Sequence, residues 1–168
     1  MMCFESERRK AMSDMLVKLY NLPDVGPIIA KQKNSGIDIR RFIPPEKHLV
    51  VNWVRQVFGD GWASECEVAF SNHPVSCFGA IQNKTILGFA CYDATCKDFF
   101  GPEGISESAR GKGIGKALLL ASLHAMAEQG YAYAIIGGAG PVGFYNKTVG
   151  AVVIEGSECG IYKGMLKE

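Results

Sequence analysis

The sequence ESARGKGIGKALL, residues 107–119, contains three glycines at alternate positions and runs directly into a helical pattern. Glycine lets the backbone approach a ligand closely because it has no Cβ. The first turn of a helix adds N–H groups without partners in the helix, together with the positive end of its dipole. Arg110, Lys112 and Lys116 add positive charge at the same place. The stretch therefore predicts a tight loop and a helix whose N-terminus holds an anion such as a pyrophosphate.

Of three phosphate-binding patterns, only one fits this loop. The pattern G-x-x-x-x-G-K-[ST] fails, because Arg110 stands where the first glycine belongs and Ala117 where the hydroxyl belongs. The dinucleotide pattern G-x-G-x-x-G fails from both Gly111 and Gly113. The pattern [QR]-x-x-G-x-[GA] is matched fully by residues 110–115.

A second glycine cluster, GAGPVG at residues 138–143, follows an apolar run and matches the dinucleotide pattern. Only 25 residues follow Gly143, which is too few for the remaining strands of a dinucleotide-binding fold. This cluster is the alternative site, and it would make the protein a nucleotide-binding enzyme.

The periodicity of apolar residues predicts the other elements. Helices are expected at residues 1–20, 44–58, 62–70, 114–129 and 141–148. Strands are expected at residues 37–43, 75–81, 85–91, 100–107, 131–136, 151–154 and 160–165. Residues 21–36 carry several Pro and Gly and are expected to be an irregular connection. This order of elements indicates a mixed α/β domain.

Composition and charge indicate which classes of protein the chain can belong to and which they exclude. A chain of 168 residues with 48% apolar side chains suits one globular domain, and a formal net charge of +1 argues against nucleic-acid or membrane-surface binding. The first residues lack the apolar core of a secretory signal, so a cytoplasmic protein is expected. The six cysteines form no C-x-x-C pair, so neither a metal site nor a disulfide framework is expected.

Residues 110–115 and the helix behind them resemble the acetyl-CoA loop of the GNAT acetyltransferases. The segment GFYNKTVGA, residues 143–151, resembles the family's second marker, an aromatic-Tyr pair on the last helix. The predicted order of elements from residue 37 onward is also similar. The resemblance implies a central mixed, mostly antiparallel sheet with helices on both faces. It divides the chain into an N-terminal helical extension, residues 1–36, and an acetyltransferase domain, residues 37–168.

The resemblance also implies roles for individual residues. The pantetheine arm of acetyl-CoA would pair like an extra strand with the backbone of Ile105, Ser106 and Glu107. Arg110 would shape the loop, and Tyr145 would lie near the thioester sulfur. The pyrophosphate would be held by the N–H groups of Gly111, Lys112, Gly113, Ile114, Gly115 and Lys116. The family often has an Asn after the strand that ends here at Ile136, where this chain has two glycines.

Acetyl transfer to an amine requires a base, a donor for the oxyanion and a proton for the leaving thiolate. Tyr145 is expected to supply that proton, and a backbone N–H near Ile105 is expected to bind the oxyanion. Glu103 is the first choice for the base, because alternation along its strand directs its side chain toward the cleft. A water chain is an alternative to a single base. Other candidates for the base are Glu107, Asp93, His73, Glu65 and Glu67.

The expected function is therefore acyl-CoA-dependent N-acetylation of a primary amine on a small molecule or peptide, by direct attack in a ternary complex. Besides the nucleotide-binding alternative, a catalytically silent acyl-CoA-binding module would keep the same loop, although the intact Phe144–Tyr145 pair argues against it. A homodimer formed by the chain-terminal strands is also expected to be possible. The segment of residues 45–71 would select the acceptor, and its acids favour a cationic amine: Glu46, Asp60, Glu65 and Glu67.

Overall fold

The computed structural model describes residues 12–166, which contain seven strands and five α-helices. The strands are β1 (Met15–Lys18), β2 (Asp38–Arg41), β3 (Cys77–Gln82), β4 (Thr85–Tyr92), β5 (Phe99–Ile105), β6 (Tyr133–Ile136) and β7 (Val152–Val153). The α-helices are α1 (Gly26–Asn34), α2 (Lys47–Phe58), α3 (Asp60–Ser71), α4 (Ile114–Glu128) and α5 (Val142–Val149). Short 3₁₀ segments lie at Leu19–Asn21, Pro44–Glu46, Glu107–Ala109 and Gly160–Tyr162.

All seven strands form one sheet in the order β2-β3-β4-β5-β6-β1-β7. Every neighbouring pair is antiparallel except β5 and β6, which run parallel and are joined through α4. The prediction of a mixed, mostly antiparallel sheet is therefore confirmed. No helix within residues 12–166 has both the length and the apolar character needed to cross a membrane.

Helices cover both faces of the sheet, and each face has its own apolar core. Successive residues of β4 belong alternately to the two cores, as the alternation of side chains along a strand requires. One core is formed by α4, α5 and part of α1, and it includes Ala90 and Tyr92. The other is formed by α2 and α3, and it includes Phe89 and Cys91. The sheet thus separates two apolar layers.

Helix α4 is the best-buried helix and was predicted closely from the sequence. Leu118, Leu119, Leu120 and Leu123 are fully buried, which agrees with the Ala- and Leu-rich pattern of the segment. The helix begins after Gly113, whose φ of 77° lies in the left-handed region that favours glycine. The buried helix therefore presents its N-terminus at a fixed place above the sheet.

The segment before β2 differs from its prediction. Residues 15–18 form a strand instead of part of a helix, and residues 1–11 of that predicted helix lie outside the described residues. Met15 and Val17 are fully buried because β1 pairs with β6 on one side and β7 on the other. Residues 26–34 form a helix where an irregular connection was expected, with Pro27 in the first turn, where its missing N–H is not needed. A boundary after residue 36 would therefore separate β1 from the other strands of its own sheet.

The end of the chain also differs from its prediction. Residues 160–162 form a 3₁₀ turn, and residues 160–165 contain no strand. Cys159 and Gly160 have positive φ angles of 66° and 40°, which a strand does not accommodate. The segment therefore supplies no strand for pairing between subunits.

The burial of β1 generates a first prediction. Val17→Ala removes two buried methyl groups from the core, so we expect the free energy of unfolding to fall by about 2 kcal/mol. Lys18→Ala changes an exposed neighbour in the same strand and should alter it by less than about 0.5 kcal/mol. Urea unfolding of both variants measures the difference. Equal effects would show that β1 does not belong to the core.

Candidate active site

Strands β5 and β6 share only two paired positions, Phe99 with Ile135 and Phe100 with Ile136. β5 continues to Ile105 with β4 as its partner, while β6 ends at Ile136. A bulge lies at Gly101–Pro102, where two residues of β5 face one residue of β4. Within residues 12–166, the edge of β5 from residue 101 to 105 consequently has no strand partner on the side where β6 has ended, and it is called the open edge below.

The hydrogen bonds of β5 show which backbone groups face this open edge. The N–H of Ser106 donates to the carbonyl oxygen of Leu87 on β4 at 2.8 Å. Antiparallel strands alternate between bonded and non-bonded positions, so Glu103 and Ile105 direct their N–H and C=O groups away from β4. Ile105 therefore lies on the open edge, and its pairing with the pantetheine arm stays a prediction. The N–H of Ser106 is bonded to β4 and does not face the open edge. Glu107 begins a 3₁₀ turn beyond the strand.

The glycine loop lies beside this edge. Gly111 and Gly113 have φ angles of 78° and 77°, and α4 starts at Ile114. A Cβ placed on Gly115 would lie 3.6 Å from Oε1 of Glu103, so the first turn of α4 contacts β5. The side chains of Arg110, Lys112 and Lys116 are exposed around the loop. The structure thus brings together free N–H groups of a helix N-terminus, three cations and an open strand edge.

Glu103 extends from β5 toward α4 and is partly buried. Its Oε1 atom is shielded from solvent and has no hydrogen-bond partner among the residues that the structure describes. Burial raises the pKa of this carboxyl to about 8, because a carboxylate loses its hydration there. A carboxyl with a pKa near the working pH suits a general base.

Tyr145 lies on α5 on the same face of the sheet and is almost fully buried. Burial raises the pKa of its hydroxyl above the ordinary value, and the nearby charge of Glu103 raises it further. The phenol therefore keeps its proton at neutral pH. The two residues chosen from sequence as catalytic are thus close enough to interact electrostatically, and the phenol is protonated at neutral pH.

The model of the acetyltransferase (GNAT) family matches residues 47–151, which is more than half of the chain. The chain belongs to the GNAT family. The match spans the elements from α2 to the end of α5 and includes the glycine loop, Glu103 and Tyr145. The predicted family is therefore confirmed. No sequence among the curated proteins matches the chain.

Solved structures with the same fold support the GNAT architecture. A GCN5-related glucosamine N-acetyltransferase region of a fungal multi-domain GH3 β-N-acetylglucosaminidase has a TM-score of 0.70 and 14% identity, covering 85% of this chain and 20% of that one. GCN5-related N-acetyltransferases of Sphaerobacter thermophilus and Kribbella flavida have TM-scores of 0.64 and 0.57, with 18% and 15% identity. They cover 85% and 84% of this chain, which spans 48% and 54% of theirs.

The other candidates for the base are exposed or have partners of their own. The carboxylate of Asp93 accepts hydrogen bonds from Tyr131 Oη and from the N–H of Asp98, both at 2.8 Å. Glu67 pairs with Arg55 on α2, and Glu65 accepts a hydrogen bond from Thr95 at 2.5 Å. The remaining two candidates are exposed: His73 after α3 and Glu107 in the 3₁₀ turn. Glu103 is thus the candidate that the fold brings beside Tyr145.

Gly137 stands where the GNAT pattern often has Asn, and its surroundings explain the difference. A Cβ at this position would lie 2.9 Å from the ring of Phe99 and 3.1 Å from Oη of Tyr162. Phe99 on β5 and the C-terminal segment that carries Tyr162 therefore leave no room for a side chain. The contact with Tyr162 was not predicted, because residues 160–165 were expected to form a strand.

The alternative nucleotide site begins at Gly138. The N–H of Gly138 donates to the carboxylate of Asp14 at 2.8 Å. A carboxylate at this place occupies a donor that a phosphate would need and repels a second anion. The glycine loop before α4 has no such acid on its N–H groups among the described contacts, so the geometry favours that loop as the anion site.

Three cysteines form a cluster that their spacing in the sequence does not indicate. The Sγ atoms of Cys66, Cys77 and Cys91 lie within 4.8 Å of one another, and all three side chains are fully buried. Cys77 and Cys91 are direct partners across the β3–β4 hairpin, and α3 adds Cys66. Burial raises the pKa of the Cys77 and Cys91 thiols, which keeps them neutral. They pack in the α2–α3 core, on the opposite face from Tyr145.

The burial of Glu103 predicts a pH-dependent stability. Its carboxyl has a pKa of about 8 in the folded chain and about 4.3 when unfolded, so the folded state binds the proton more tightly. Stability should therefore fall as the pH rises from about 4.5 through 8. Glu103→Gln should remove this part of the pH dependence and be more stable than the wild type at pH 8.5. Urea unfolding at several pH values measures it, with exposed Glu107→Gln as the matched control. Parallel curves for wild type and Glu103→Gln would contradict the prediction.

Proposed function

We propose that this protein transfers the acetyl group of acetyl-CoA to a primary amine by direct attack in a ternary complex. The observation that carries the proposal is the open edge of β5 beside the glycine loop and the N-terminus of α4. An extended chain with amide groups and a diphosphate at one end fits these two features together. Acetyl-CoA has this chemistry.

The cofactor would use backbone groups for most of its contacts. The outward N–H and C=O groups of Glu103 and Ile105 would pair with the pantetheine amides, as in an added strand. The diphosphate would accept hydrogen bonds from the N–H groups between Gly111 and Lys116. The exposed cations of the loop would add attraction that is screened by salt.

The reaction would use two side chains with opposite proton preferences. Glu103, directly or through a water molecule, would take a proton from the ammonium group so that the nitrogen has a free electron pair. The nitrogen would attack the thioester carbon, and an outward backbone N–H of β5 would stabilise the oxyanion. The C–S bond would then break as the oxyanion re-forms the carbonyl, and Tyr145 would donate its proton to the leaving thiolate. The second proton of the attacking nitrogen would pass to the Tyr145 oxygen, directly or through water, which leaves the neutral amide.

The structure alters the expectation for the acceptor. Glu46 forms an ion pair with Arg40 at 2.6 Å, and Asp60 and Glu67 form ion pairs with Arg55. Three of the four acids that favoured a cationic amine are therefore already paired with arginine. One protein with the same fold is described as a glucosamine N-acetyltransferase, so amino sugars belong in the first acceptor screen alongside polyamines and peptides.

Gly113 allows a test of the anion site that controls for backbone strain. Asn and Asp both tolerate a positive φ, and a Cβ on either would lie 3.3 Å from Nε2 of Gln32. The two variants therefore share the steric change and differ in charge. We expect Gly113→Asp to bind CoA at least about tenfold more weakly than Gly113→Asn, because its carboxylate repels the diphosphate. Calorimetric titration with CoA measures this ratio, and equal affinities would rule out an anion at the loop.

The role of Tyr145 predicts a separation of kinetic constants. Tyr145→Phe keeps the ring and removes the proton donor, so kcat should fall about 100-fold while KM for acetyl-CoA changes little. Tyr131→Phe removes a hydroxyl that bonds to Asp93 and should leave kcat unchanged. Steady-state assays with an acceptor found in the screen measure both constants. An unchanged kcat in Tyr145→Phe would leave the ring as a packing surface only.

A further inference from the structure

We propose that Gln32, on the helix before β2, is a positioning residue that fixes the orientation of the diphosphate-binding loop. Gln32 lies outside the part of the chain that matches the family model. The inference rests on the proposed function, because it takes the diphosphate of acetyl-CoA as the ligand of the loop. It gives the segment before residue 37 a role in cofactor binding.

The amide of Gln32 contacts the loop directly. The side chain is 3% exposed, and its Nε2 donates to the carbonyl oxygen of Lys112 at 3.0 Å. The same Nε2 lies against Gly113, since a Cβ there would be only 3.3 Å away. A buried amide donor thus holds one side of the loop at the residue that precedes α4.

Because a peptide group is planar, the bond from Gln32 to the Lys112 carbonyl also determines the direction of the Gly113 N–H. The carbonyl of Lys112 and the N–H of Gly113 belong to one trans peptide group and point in opposite directions. Because the carbonyl is held toward Gln32, the N–H of Gly113 is turned away from α1. It points to the side of the loop that Gln32 does not cover, where a diphosphate can reach it.

Gln32 is itself held firmly. Its backbone carbonyl accepts the N–H groups of Ser35 and Ile37 at 2.9 and 3.0 Å, at the end of α1. Val25 and Ile28, at the start of α1, pack against the core that contains α4. The amide therefore reaches the loop from a fixed base. Being neutral, it orients a donor without adding charge of either sign near the anion.

Gln82 provides a matched control for this contact. Its Nε2 donates to the carbonyl oxygen of Ser35 at 3.1 Å, so it also joins a glutamine amide to a backbone carbonyl near the end of α1. Gln82 does not contact the glycine loop in any of the described hydrogen bonds. Gln82→Met and Gln32→Met thus remove the same kind of bond at different places.

The experiment compares the affinity of the full chain for CoA with its affinity for pantetheine, which lacks the diphosphate. Calorimetry measures the Kd for CoA, and titration followed by amide NMR measures the weaker Kd for pantetheine. Gln32→Met should raise the Kd for CoA about tenfold, because one charge-assisted hydrogen bond is misaligned. The Kd for pantetheine should stay within about twofold of the wild type. Gln82→Met should leave both values unchanged.

Gln32→Glu is a second variant that keeps the length of the side chain. Its carboxylate cannot donate to the Lys112 carbonyl and repels a diphosphate, so it should weaken CoA binding more than Gln32→Met does. If Gln32→Met does not fold, Gln32→Glu tests the proposal in its place. CoA affinity equal to the wild type in either variant would overturn the role of Gln32.

Two further outcomes would also overturn it. Equal losses in Gln32→Met and Gln82→Met would show a general loosening of α1, and equal losses for CoA and pantetheine would show that the diphosphate is not involved. Failure of the proposed function gives a different result, because then the wild-type chain itself would not bind CoA.

Discussion

Strands β5 and β6 separate after two paired positions, because β5 carries a bulge at Gly101–Pro102 and β6 ends at Ile136. An unpaired strand edge inside a sheet exposes hydrogen-bonding groups that must find partners. Here the gap is bordered by the first turn of α4, and Gly115 lies against Glu103. The open backbone, the helix N-terminus and the catalytic candidates therefore follow from a single interruption in the sheet.

The interruption has a cost that the rest of the molecule offsets. In the described part of the chain, a buried oxygen of Glu103 has no hydrogen-bond partner, which lowers stability in the absence of a ligand. Helix α4 and the two apolar cores supply extensive burial on both sides of the sheet. A group held unfavourably in the free protein and satisfied during reaction is typical of an enzyme site. The two cores allow the site to be strained while the fold stays stable.

The sequence predicted the elements of this fold correctly where the local residue pattern and the tertiary structure favour the same conformation. The α4 segment has strong helix formers and glycines at both ends, and the β3–β4 hairpin has alternation and a short turn, so both were predicted closely. Glu103 was chosen from one strand and Tyr145 from one motif, and their catalytic roles stay predictions.

The predictions failed where contacts with residues far away in the sequence determine the conformation. The apolar residues between Met12 and Tyr20 fit a helical pattern, but pairing with β6 and β7 makes residues 15–18 a strand. Gln32 carries no motif at all, because its role depends on a loop much later in the chain. Pro27 was a usable helix-start signal, and it was outweighed by the other Pro and Gly residues nearby.

The position of β1 has a consequence for how the chain acquires its structure. Met15 is paired with both Ile136 and Val153. A strand near the start of the described chain therefore forms its pairs only when residues near the end of that chain are present. The hairpin of β3 and β4 and the helix pair α2–α3 form from local contacts, whereas the β6-β1-β7 ribbon requires closure of a very long loop. During synthesis on the ribosome, Met15 and Val17 remain exposed until residues 133–153 have emerged. Completion of the sheet is therefore a late event in folding, and it joins the two ends of the domain in one step.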